Sequence, residues 1–168
     1  MQGGGRHSVL TQIIKQHEEI GITPPEELSA LPESEIRALI GKVTNHRDTL
    51  RFDLDHQFNH DKLNIQQEDA VERQRILSLI SLKKTNLPRG GSIEETMKAV
   101  EIKKEINELD IKLREIGLAT QRKLVDLRYE YSKSKNEIQR QWETDMGTLK
   151  MYLLKCTAQK SDENLDYD

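Results

Sequence analysis

Apolar residues recur at alternating steps of three and four through Ala99, Ile102, Ile106, Leu109, Leu113 and Ile116, the spacing that gathers them into one narrow seam along an α-helix. After Ile116 the phase slips. Thr120 and Leu124 follow at steps of four, then Leu127 and Tyr131, and the seam resumes thinly through Ile138, Trp142, Leu149 and Leu153. Two fours in succession unwind a supercoil locally, and Gly117 at the slip lowers helix propensity by about 1 kcal/mol relative to alanine. Ser92-Ile93-Glu94-Glu95 forms a capping box ahead of this run, with the Ser92 hydroxyl placed to accept the Glu95 amide. No proline follows it, so the pattern predicts one helix over 92–158.

A second helix is predicted over 33–84. Ile36, Ile40, Val43, Leu50 and Leu54 keep three-four spacing with Arg47 at a seam position, and the step from Leu54 to Phe58 slips the phase again. Residues 59–69 are polar, making that stretch the weakest part of the helix. Between the two helices, Asn86, Pro88, Gly90 and Gly91 mark a turn at 85–91. A short link favours antiparallel neighbours. Reflecting the chain about residue 89 pairs Ile76 with Ile102, Leu54 with Leu124 and Phe58 with Thr120, so that the two phase slips fall opposite each other. The fold class expected is all-α: a long antiparallel coiled-coil helical hairpin, each arm of roughly fifty residues spanning about 75 Å.

The same reflection leaves the apolar stretch 145–156 without a counterpart in the first arm. Its expected cover is a short amphipathic helix over 7–20, where Val9, Leu10, Ile13 and Ile14 share a face. That helix would pack at the open end of the hairpin. Residues 1–5 are glycine-rich and expected to fray. The proline-rich hinge at 22–34 holds a single helical turn at 26–30. The organisation expected is therefore 1–32 as short helix and hinge, 33–158 as hairpin and 159–168 as an acidic disordered tail.

Composition agrees with thin, solvated helices. A third of the residues are charged and only 4% are aromatic, too few large side chains for a thick core. The net charge of −3 disfavours a dedicated nucleic-acid binder, which would be basic. Cys156 is the single cysteine, so no internal disulfide forms and a reducing compartment is the simpler reading. No apolar run is long enough to span a bilayer. Signal-peptide and myristoylation patterns are lacking at the start of the sequence. The expectation is an intracellular, cytoplasmic protein.

Three constellations in the sequence bear on chemistry. Asp53, His56 and His60 have the spacing of half a carboxylate–histidine metal site, but they point away from the stripe of Leu50, Leu54 and Phe58. Surface residues, with neither metal nor other cofactor, are expected there. The stretch 122–140 is locally basic through Arg122, Arg128, Lys133, Lys135 and Arg140, with Tyr129 and Tyr131 interleaved. Such a face could bind single-stranded nucleic acid or an acidic protein surface. Acids at Asp126, Glu130 and Glu137 make a solvated helix face the plainer reading. Leu87 and Arg89 at the turn, and Trp142 near Ile36 at the base, are candidate partner contacts, although core packing suits Trp142 better. No phosphate loop or nucleophile signature is present, and a two-helix rod offers no concave pocket. The function expected is a non-enzymatic coiled-coil structural or adaptor subunit. Its partners would be other proteins, helical ones or a second copy of the chain. A nucleic-acid accessory protein and a helical metal-binding protein are the alternatives.

Overall fold

A computed structural model describes residues 31–165, with side chains through Glu163. These residues form two α-helices, α1 (Glu33–Thr85) and α2 (Ile93–Leu165), packed against each other, with no strand among the described residues. The helix expected at 7–20 and the turn at 26–30 lie outside them. The chain divides into two compact units. Of the described residues, one unit takes those up to Asp55 with those from Ser132 onward, the other His56–Tyr131.

In the His56–Tyr131 unit the core is Ile76, Ile80 and Ile106, flanked by Ile102, Leu109, Leu113 and Ile116. The seam of α2 thus packs on α1 as its period requires, and each fully buried isoleucine contributes about 1.5–3 kcal/mol. α1 continues unbroken through the polar stretch 59–69. Side chains one turn apart support it there: Gln57 donates to Asp61 at 2.8 Å, Arg73 to Asp69 at 2.9 Å, and the Asn64 amide meets the His60 ring at 3.4 Å.

The register differs from reflection about residue 89. Phe58 stacks on Tyr131, with ring centroids 4.4 Å apart, instead of meeting Thr120. Thr120 donates to Asp69 at 2.7 Å, and Lys83 bonds to Glu105. Each α1 residue meets a partner about ten positions further along α2 than equal arms would give, a displacement of roughly 15 Å. Side chains leaning toward their own N-termini account for about two of those positions. The connector accounts for the rest. The last helical bonds of α1 are Asn86 N to Leu82 O and Leu87 N to Lys84 O, after which 87–91 carry no turn. Several non-helical residues at up to about 3.5 Å each can climb past the end of α1 before α2 starts. The two phase slips therefore do not face each other. Phe58 finds an aromatic ring, and the slip in α2 falls at the Asp69–Thr120 bond.

The start of α2 is capped as its sequence predicts. The Ser92 hydroxyl accepts the Glu95 amide at 3.2 Å, and Ser92 O accepts Thr96 N at 2.9 Å. The Glu95 carboxylate folds back against Gly90, into the space that an added Cβ would take. Only glycine leaves room for it in that pose.

In the other unit, Ile36, Leu39, Val43 and Leu149 form a buried core, with Trp142, Tyr152, Leu153 and Cys156 packed on it. The stretch 145–156 therefore has its counterpart in α1 itself, contrary to the arrangement expected from equal arms. The cause is again the register, since Leu149 now lies against Ile36, Leu39 and Val43. The expected disordered tail is also corrected: α2 runs past Ala158 to Leu165. No glycine or proline stops it, and Lys160 donates to Glu33 at 2.9 Å. Residues 166–168 lie outside the described part.

Ile76→Ala removes a side chain only 2% exposed and should cost about 2–5 kcal/mol in chemical denaturation, while Val71→Ala, 70% exposed, should stay within about 0.5 kcal/mol. Ser92→Ala should cost about 1 kcal/mol through loss of the cap, read in the same assay.

Candidate interaction surfaces

Trp142 is the side chain in which the sequence reading and the structure meet most closely. Its indole Nε1 donates to Thr44 Oγ1 at 3.3 Å, and the Arg47 guanidinium lies over its ring, 4.1 Å from the centroid. Arg47, at the seam position anticipated for it, is 17% exposed and also pairs with Asp48 at 3.0 Å. A cation over an indole face is held by the ring quadrupole, so this arginine enters the seam without being left as a bare buried charge. Trp142 therefore acts within the unit, against Thr44 and Arg47 two to three turns from the expected Ile36. One turn away, Arg51 Nη2 donates to Gln139 at 3.1 Å.

Arg122 and Arg128 are both exposed in the His56–Tyr131 unit, but six positions on a helix place them about a third of a turn apart. In the other unit Lys133 and Arg140, seven apart and exposed, share a face, and Lys135 lies on a different one. Leu87 is half-buried and Arg89 exposed in the connector. Asp53, His56 and His60 are each exposed. His60 Nδ1 is 3.7 Å from Asp61, and among the described residues no three His, Cys, Asp or Glu side chains stand together as a metal would require.

Open grooves run beside the helices. One is lined by Leu31, Pro32, Arg37, Cys156 and Lys160, with the Cys156 thiol 3.6 Å from the Leu31 carbonyl it donates to. Another, in the His56–Tyr131 unit, is lined by Ile65, Val71, Ile116, Ala119 and Lys123. Neither assembles a nucleophile with a base and an oxyanion donor.

The feature the sequence reading passed over is a second apolar row on α2. Met97, Ile111, Leu118 and Val125 are 68%, 52%, 58% and 60% exposed, as are Ile93 and Val100 beside them. The signal was present in the seven-residue spacing of Ile111, Leu118 and Val125, which the stronger seam at Ile102–Ile116 masked. No known protein family, no curated protein and no solved structure matches this chain. No helix among the described residues is long and apolar enough to cross a membrane.

The end of α2 should respond to pH. Glu33 is held below the usual carboxylate range, first by its hydrogen bond from Lys160 and next by that from Arg37. A lowered pKa means the contact is complete above the ordinary carboxylate range and is lost as pH falls through the depressed value. Amide exchange at residues 157–163 should accelerate under acid, and Lys160→Ala should reproduce that fraying at neutral pH while leaving exchange at Ile36 unchanged.

Proposed function

We propose that this protein is a non-enzymatic coiled-coil adaptor, an antiparallel helical hairpin that joins other helical proteins into an assembly. The observation that carries the reading is the division of apolar residues between two uses. Each unit spends one narrow seam holding α1 to α2, yet large side chains remain in solvent on both helices, among them Phe52 at 72%, Leu82 at 59% and Ile93 at 81%. Scattered exposed leucines are ordinary. A row at coiled-coil spacing along a helix is a surface on which another helix can lay its own seam.

The distribution of charge favours protein over nucleic acid. The net charge is −3, and the basic residues of 122–140 are interleaved with Asp126, Glu130 and Glu137, whereas a strand of nucleic acid needs a continuous cationic track. The adaptor role also suits the open grooves, which give a helix purchase but enclose no small molecule.

Affinity capture with the full chain, eluted across a salt series, tests the reading. Helical protein partners should remain bound from about 50 to 200 mM salt, because apolar seams are little screened. Binding that falls by about a thousandfold over that range, with nucleic acid in the eluate, would replace the adaptor by a nucleic-acid protein. Recovery of nothing above the control at any salt would also overturn it.

A further inference from the structure

Among the described residues every lysine and arginine but one lies inside a helix. The exception is Arg89, exposed in the connector between α1 and α2. To a protease that difference is large. Such an enzyme takes its substrate as an extended strand and bonds to its backbone. A helix has its amides and carbonyls bonded to each other, so it must open locally before it is cut. The connector needs no such opening. The backbone bonds of α1 stop at Leu87, which donates to Lys84 O, and those of α2 begin at Ser92, whose carbonyl accepts from Thr96. Residues 87–91 between them carry no turn.

The residue types suit the same use. Pro88 has its own φ fixed near −65° and holds Leu87 in the extended region. Gly90 and Gly91 place no side chain on the far side of the Arg89 carbonyl. Leu87-Pro88-Arg89-Gly90 therefore presents a basic side chain on an exposed, unobstructed backbone, at the kind of loop where chains are nicked first. We propose that the connector is a processing site: an arginine-directed protease hydrolyses the Arg89–Gly90 bond, and the protein persists as a two-chain hairpin. One water is consumed. Arg89 gains a carboxylate and Gly90 a free ammonium.

Both cores join residues before that bond to residues after it: Ile76 and Ile80 to Ile106 in one unit, Ile36, Leu39 and Val43 to Leu149 in the other. Cys156 is the single cysteine, so no disulfide assists them and the seams hold the cut chains. The new ammonium also forms beside an opposite charge. The Glu95 carboxylate lies against Gly90, and a carboxylate at that range favours the charged amine. Glu95 swings off Gly90 while the protease is seated, a side-chain rotation that leaves α2 helical.

Limiting trypsin on the full chain tests this, with new N-termini read by mass spectrometry. A fragment beginning at Gly90 should be the first product from within residues 31–165. A lysine-specific endoprotease, matched in activity on an unstructured peptide, should leave that region whole over the same time, since its lysines are all helical. Arg89→Gln changes an exposed side chain and should slow the appearance of the cut hairpin roughly tenfold or more, with helical circular dichroism unchanged. The trypsin-cut protein should separate under denaturing conditions, yet run as one species in native gel filtration at micromolar concentration. A first cut inside α1 or α2, lysine-specific cutting as fast as tryptic cutting, Arg89→Gln cut at the original rate, or chains that part under native conditions would each overturn the proposal. None of these would touch the adaptor reading, which stands or falls on capture of other proteins.

Discussion

The narrow strip of contact between α1 and α2 is the constraint from which the rest follows. Among the described residues few are buried, and most of them are seam residues: Ile76, Ile80 and Ile106 in one unit, Ile36, Leu39, Val43 and Leu149 in the other, where Asp145 and Met146 are buried as well. A helix this charged cannot hold itself together by propensity alone. Each helix is stable because the other dries one side of it, and everything outside the strip is solvated surface available for other purposes.

Periodicity was a reliable guide to what forms and a poor guide to what meets what. The helices, the Ser92 cap, the seam at Ile102–Ile116 and the seam role of Arg47 were all legible, because each depends on neighbours within one or two turns. Register depends on how far the connector travels, and composition does not encode that distance. Asn86, Pro88, Gly90 and Gly91 announce a loop without saying whether it doubles back at once or climbs first. The climb shifted Phe58 from Thr120 to Tyr131 and gave Leu149 a partner in α1. Coincident phase slips looked like evidence for equal arms, yet the slips are accommodated separately, one by ring stacking and the other by a hydrogen bond.

The outer row of α2 was hidden for a different reason. Reading a helix for its best seam assigns every other residue to solvent, and Leu118 and Val125 were absorbed into that background. Exposure on the folded molecule is what separates a leucine covered by α1 from one covered by nothing. Asp53, His56 and His60 carry the spacing of a metal half-site in the sequence and are each exposed in the structure. Trp142 shows the opposite case: a residue conspicuous enough to suggest a partner turns inward, engaged by Thr44 and Arg47.

The Asp69–Thr120 bond, with Arg73 beside Asp69 and over Gly117, gives the His56–Tyr131 unit an index mark. Greasy seams are nearly translationally symmetric, so two such helices could ratchet past one another by a turn and still bury similar area. A ratchet of that size would strip Asp69 of its hydroxyl donor and push a carboxylate toward Ile116 or Leu124, leaving an acceptor unsatisfied at about 1–3 kcal/mol. One polar rung among apolar ones therefore converts a slippery contact into a geared one, and any partner that grips the outside of α2 meets a rod whose teeth stay in place.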